Sequence, residues 1–358
     1  MFQMKRINKL ISNWVFLLSF TFCVLFLFAQ IAQNKEIDSK NKVIFISIDG
    51  LRSDALTFLG PEHIPNFYLM MRNGVFTLNA RTDSDFTNTL PNHTSMLTAR
   101  PVLGQSGHHI NFNEMTKITI HDFNDCYIPS IFDAVKKNGL TTALISSKPK
   151  FSLFLNSYNS KSKFNEQEKN NTPKIDHSFI SLYNDDASIV FLKDILINKQ
   201  ADFTFLHLAS CDLTGHKFGW DVSDNSQYLL AVKYIDSLLG QIIQVIQRNK
   251  ELSKSTTIII TSDHGGEGFT HLNIKDNKNF TIPFIVWGAE KRRGEDLYEM
   301  NTTSRQDPGI KQISYSQTPQ PIRNSDGANL SLSILSLNPI EKSIINVSQD
   351  LNIKPNNL

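Results

Sequence analysis

Hydrophobic runs along this chain are short, rich in β-branched and aromatic residues, and end in polar or glycine positions. Those at 43–48, 75–80, 140–146, 203–209, 256–262 and 282–287 predict strands. Between them, apolar residues recur at helical spacing around 64–73, 92–99, 129–138 (closed by Gly139), 184–197 and 226–249. In the last of these, Leu229, Val232, Ile235, Ile242, Val245 and Ile246 line one face. Strand and helix in alternation predict an α/β domain with a mostly parallel, doubly wound sheet and helices on both faces. Residues 156–176 are polar and without period, which reads as a long loop or a small cap within an insertion at about 148–180; residues 290–328 are similar. No internal repeat is present.

Three strand ends carry chemistry. Asp49 follows VIFISI, Asp212 and His216 follow FTFLHLAS, and Asp263 and His264 follow TTIIITS. A lone Asp after a strand is most often a turn or helix cap. The same kind of residue at three such ends describes one site assembled at the carboxyl edge of a sheet. Asp212 and His216 read as a glycine-containing loop, Asp263-His264 precede Gly265-Gly266, and His271 follows in EGFTHLN. Carboxylate oxygens and imidazole nitrogens are the usual zinc ligands outside thiolate sites, and three protein ligands per ion with an open position mark a catalytic metal. The set suffices for two ions. A nucleophile is offered by TNTLPNHTSMLT, where Thr89 stands two residues before Pro91 at a helix start with free amides around it.

Composition narrows the picture. With 358 residues and 40% hydrophobic content the chain can form one large α/β domain, and a formal net charge of +2 gives no polyanion-binding surface. Lys5, Arg6 and Lys9 precede an apolar stretch from Trp14 to Ala29, so residues 1–32 read as a signal peptide cleaved around Ala29 to Gln33, or as an uncleaved anchor. The expected location is therefore exported: periplasmic or secreted, with any membrane contact through that segment alone. Cys126 and Cys211 remain in the mature chain and read as two free buried thiols. Lys291-Arg292-Arg293 lies among acids and reads as a solvated loop. The Asn-x-Ser/Thr matches, Asn92 among them, read as chance in an Asn-rich chain. Lys148 and Lys150, at the end of a predicted strand, read as solvated, and His108 and His109 carry no assigned role.

Taken together, ISIDGLRSD, NTLPNHTSMLTARP, CDLTGHKFGW, ITSDHGGEGFTH and TIPFIVWG stand in an order that resembles the alkaline phosphatase superfamily, and within it the type I phosphodiesterase and nucleotide pyrophosphatase branch. Its compact spacing up to His271 is similar to small bacterial members. The resemblance spans roughly 42–345, taken as the catalytic domain, with 346–358 as a tail. It implies two zinc ions: one held by Asp212, His216 and His271, the other by Asp49, Asp263, His264 and the Thr89 oxygen. It further implies Thr89 as the nucleophile of a covalent phospho-threonine intermediate, and Asn113, in preference to Asn111, as a contact to a phosphoryl oxygen. The expected substrate is a small phosphate ester, a diester in preference to a monoester, and no nucleic-acid polymer. Sulfatases carry Cys or Ser where Thr89 stands and Arg where His93 stands. Fold-related transferases usually carry several membrane spans, and a non-catalytic relative would have lost a ligand.

Overall fold

The computed structural model describes residues 41–158, 164, 172–288 and 294–354. The N-terminal segment 1–32, most of 156–176 and Lys291-Arg292-Arg293 lie outside the described residues. Hydrophobic runs form the strands β1 (Lys42–Ile48), β2 (Val75–Arg81), β3 (Thr142–Ser146), β4 (His177–Ile180), β5 (Phe203–Leu208), β6 (Thr256–Thr261), β7 (Thr281–Gly288) and β8 (Glu295–Asp296). They make one eight-stranded sheet in the order β4-β3-β5-β1-β6-β7-β2-β8. β1 pairs in parallel with β5 and β6, and β3 with β4 and β5, while β7 runs antiparallel to β6 and β2. The sheet is thus mostly parallel, as its pattern predicts.

The strand period of two builds a core on each face. Val43 and Phe45 of β1 enter one cluster, with residues of the helices Thr89–Thr98, Ile131–Lys137 and Asp326–Ile334. Ile44, Ile46 and Ile48 enter the other, with the helices Ser53–His63, Pro65–Arg72, Asp185–Asp194 and Gln227–Arg248.

Several elements depart from the expectation. The helix over Ser53–His63 was hidden by Gly60-Pro61, which reads as a turn and is in fact a kink, with Gly60 at φ 64°. Asp212 and His216 lie not in a loop but in the helix Ser210–Phe218, whose interior Gly215 obscured it. The edge strands β4 and β8 are too short to show a period. The helix carrying Thr89 begins at Thr89 itself, three residues before the expected start at 92. Residues 346–354, set aside as a tail, pack onto the body: Leu351 and Ile353 are buried in the first core, and Arg305 meets Asp350 at 2.8 Å. Both cysteines are free, but Cys126 is exposed; only Cys211 is buried.

Candidate active site

Because β5, β1 and β6 are adjacent and parallel, their carboxyl ends deliver Asp212, Asp49 and Asp263 to one place. Gly50 tightens the junction: it takes φ +71°, and a Cβ there would lie 2.9 Å from the Asp212 Cα. Only glycine satisfies both conditions without strain. Asp49, Asp263 and His264 form one group of potential ligand atoms, and Asp212, His216 and His271 a second, the atoms within each group lying within 4.8 Å of one another. The groups adjoin, with His264 Nε2 3.8 Å from Asp212 Oδ1.

Each carboxylate is divided between the protein and the site. Asp49 Oδ2 accepts from His207 Nε2 at 2.8 Å and meets Lys148 Nζ at 2.7 Å. Asp212 Oδ2 accepts from Lys148 at 2.6 Å. Asp263 Oδ1 accepts the backbone N–H groups of Gly50 and His264 at 3.1 and 3.0 Å. The remaining oxygens, Asp49 Oδ1, Asp212 Oδ1 and Asp263 Oδ2, are buried without a hydrogen-bond partner, as is His264 Nε2. Buried polar atoms are normally satisfied.

The imidazoles are oriented by the same logic. His264 Nδ1 lies 2.8 Å from the Gly265 carbonyl, His271 Nδ1 2.5 Å from that of Thr87, and His216 Nδ1 3.2 Å from that of Phe269. A carbonyl only accepts, so each Nδ1 carries the proton and each Nε2 keeps its lone pair. That pattern, a ring fixed by an outer acceptor with the other nitrogen free, is how metal-ligating histidines are held.

The electrostatics of the cluster suit a bound cation. Burial alone would raise the Asp49 carboxyl, but Lys148 and then His207 hold it well below the usual range. Asp212 is raised by burial and by Asp49, and Lys148 with His216 brings it down to about 2. Asp263 is pushed well up by burial and by the Asp49 charge, the mark of one negative charge too many. Burial lowers His264 and takes His271 down to about 3, which keeps both neutral. Donor type, unpaired atoms and excess negative charge all fit divalent ions with nitrogen and oxygen ligands.

Thr89 is the first residue of its helix and is 1% exposed. Its segment is tied to the ligands at two points. Thr87 Oγ1 donates to the His271 carbonyl at 2.5 Å, reciprocating the bond that His271 makes to Thr87. One turn later His93 donates from Nδ1 to the Thr89 carbonyl at 2.7 Å and accepts from Ser47 Oγ at 2.8 Å, with Asp263 Oδ2 3.6 Å away. Asn113 Oδ1 accepts the Leu90 N–H at 3.0 Å, which sets its amide beside the start of the Thr89 helix, whereas Asn111 is exposed. Asn92 is buried, its side chain engaged with Phe86, Asn88, Asp83 and Asn324, so it takes no glycan in the folded chain.

Lys148 corrects the sequence reading: it is 4% exposed and joins Asp49 to Asp212 instead of being solvated. Its only signal was its place at a strand end, which the ligands share. His207 and Trp220 were also missed. A Cβ at Gly215 or Gly266 would lie 2.2 Å from the Trp220 ring, and the indole N–H donates to the Gly50 carbonyl at 2.9 Å. His108 holds no place in the cluster; it bonds Ser95 Oγ and the Ile110 N–H and pins the 100–113 segment to the Thr89 helix.

The chain has an alkaline-phosphatase-like α/β fold. Its structure is similar to murine ectonucleotide pyrophosphatase / phosphodiesterase 5, an inactive form in complex with AMP (TM-score 0.57, 15% identity, covering 83% of this chain and 95% of that one). It is similar also to the lipoteichoic acid synthase LtaP from Listeria monocytogenes (TM-score 0.57, 14% identity, covering 88% and 76%). More narrowly, residues 43–281 match the type I phosphodiesterase / nucleotide pyrophosphatase pattern, and the chain belongs to that family of hydrolases. Bis(5'-adenosyl)-triphosphatase ENPP4 of Pongo abelii and of Homo sapiens are each 26% identical over 264 residues, 68% of this chain and 52% of theirs. The chain thus spans about half the length of these curated relatives.

Proposed function

We propose that this protein hydrolyses phosphate diesters at a two-zinc site through a covalent phospho-threonine at Thr89. The observation that carries the reading is the set of buried, partnerless atoms, Asp49 Oδ1, Asp212 Oδ1, Asp263 Oδ2 and His264 Nε2, presented by two adjoining three-residue groups. One ion would be held by Asp212, His216 and His271, and the other by Asp49, Asp263, His264 and the Thr89 oxygen. When bound, such a pair supplies Lewis acidity, lowering the Thr89 hydroxyl pKa and offsetting charge on the phosphoryl oxygens.

Thr89, held at its helix start by His93 and Thr87, attacks phosphorus after losing its proton to solvent. The Oγ–P bond forms as the P–O bond to the leaving alcohol breaks, and Asn113 donates its amide N–H to a phosphoryl oxygen. Water then attacks the phosphothreonine, and its oxygen replaces Thr89 Oγ on phosphorus.

The available cations favour a diester. A dianionic monoester needs an additional positive contact. Lys148 is already shared between two carboxylates, and Arg100 donates to the carbonyls of Ser106 and Glu341. The names of the relatives put dinucleoside polyphosphates first among biological substrates to screen. The apolar N-terminal stretch supports action after export. Purified, zinc-loaded protein should show a higher kcat/KM for bis(p-nitrophenyl) phosphate than for p-nitrophenyl phosphate. A clear monoester preference would move the reading to a phosphatase and point to Lys150 as the missing cation.

A further inference from the structure

Lys148 stands one strand away from the acids it serves. It follows β3, where its own N–H donates to Ser146 Oγ at 3.1 Å, and its side chain reaches past the end of β5 to Asp49 at the end of β1. Nζ lies 2.7 Å from Asp49 Oδ2 and 2.6 Å from Asp212 Oδ2. Asp49 belongs to one ligand group and Asp212 to the other, so a single ammonium holds a member of each. In both carboxylates the oxygen it takes is Oδ2, and Oδ1 is the atom left buried and partnerless.

A carboxylate can turn about its χ2 bond or offer both oxygens to an ion. An N–H bond to Oδ2 removes that freedom and leaves one oxygen forward. Asp263 reaches the same state through the backbone N–H groups of Gly50 and His264. Asp49 and Asp212 depend on side chains: Asp49 Oδ2 also accepts from His207 Nε2 at 2.8 Å, and Lys148 is the donor the two acids share.

We propose that Lys148 is a positioning residue common to both ion sites, aiming the Oδ1 atoms of Asp49 and Asp212 and binding the two ligand groups into one unit. This rests on the two-zinc reading above. Two opposing effects are in play. The ammonium repels a nearby cation, whereas losing an outer partner of a ligand typically weakens metal binding about 10- to 100-fold. The proposal requires orientation to prevail.

The test is zinc titration of the purified full chain against a chromophoric chelator, for wild type, Lys148→Met and Lys148→Arg, with thermal unfolding to establish that each is folded. Wild type should bind two ions. The Met variant should bind both about 10- to 100-fold more weakly, and the Arg variant, which restores a donor to both carboxylates, should recover most of that loss. Fewer than two ions on wild type would defeat the two-zinc reading itself. With wild type binding two, equal or tighter binding by the Met variant, a loss confined to one site, or an Arg variant as weak as Met would each overturn the role of Lys148. Should the Met variant not fold, Lys148→Gln, whose side chain is one atom shorter and cannot bridge both carboxylates, is titrated in its place and should weaken binding in the same sense.

Discussion

At His216, His264 and His271 one bonded hydrogen decides whether the ring can serve as a metal ligand. Nδ1–H is committed to a backbone carbonyl at His216, His264 and His271, so Nε2 carries the lone pair of each neutral ring; burial keeps His264 and His271 neutral, whereas the Asp212 carboxylate raises His216. Replacing His271 by Ala removes one of the three ligands of its group and should empty mainly that ion, read as a fall from two bound zinc ions toward one by elemental analysis. Retention of two would contradict the assignment. Thr89→Ala should lose roughly 10³-fold or more in rate, the usual cost of a missing covalent step, and still bind metal; Thr89→Ser should retain measurable turnover. At this scale the acids and imidazoles that the structure brings together as two candidate ligand groups were legible in the sequence, because few residue types bind zinc and they recur at strand ends. It did not show Lys148 or His207. Both act through Asp49, and a lysine after a strand or a histidine within one carries no local mark of a partner that lies elsewhere in the chain.

Elements decide how far the site can be disturbed from outside. The helix Ser210–Phe218 presents Asp212 and His216 four residues apart on one face, and Trp220 turns back to fill the space beside Gly215 and Gly266. Gly215→Ala would set a methyl 2.2 Å from the indole and force it away from the Gly50 carbonyl. Overpacking of this kind costs about 1–3 kcal/mol, so a clearly lowered Tm is expected, and an unchanged one would mean that Trp220 is not the spacer. The segment after the Thr89 helix depends on a neutral histidine: burial takes His108 down to about 3, and protonation would cost Nδ1 the Ile110 N–H. His121 is likewise taken down by burial, to about 4. Unfolded histidine titrates near about 6.5, so below that pH the unfolded chain binds more protons and stability falls as pH drops toward the folded values. Tm should decline from neutral to pH about 5, and less steeply in His108→Gln; identical slopes would remove His108 from the account. The long strands were legible because, buried on both faces, they read as continuous β-branched and aromatic runs. The helix bearing Asp212 was not, since a glycine required by Trp220 mimics a loop.

Over the whole molecule, three buried acids with one lysine leave the cluster short of positive charge, so ions should stabilise the fold as well as complete the site. A ligand present at 100 times its Kd adds about 2.7 kcal/mol, so chelation should lower Tm and abolish hydrolysis together. Activity that survives thorough chelation would argue against metal dependence. The alternation of strands and helices revealed the doubly wound sheet and its two cores, whereas the docking of 346–354 did not show, because it depends on a few isolated contacts such as Leu351, Ile353 and the Arg305–Asp350 pair.

The central claim, that Thr89 takes up the phosphoryl group, is tested most directly by mixing zinc-loaded protein rapidly with bis(p-nitrophenyl) phosphate, quenching in acid, and sequencing the Thr89 peptide by mass spectrometry. The account predicts a burst of one p-nitrophenolate per site and a p-nitrophenyl phosphoryl group on Thr89, both absent in Thr89→Ala. Full turnover with no adduct on Thr89 and no burst, together with normal rates in Thr89→Ala, would contradict it and show that water attacks the substrate directly.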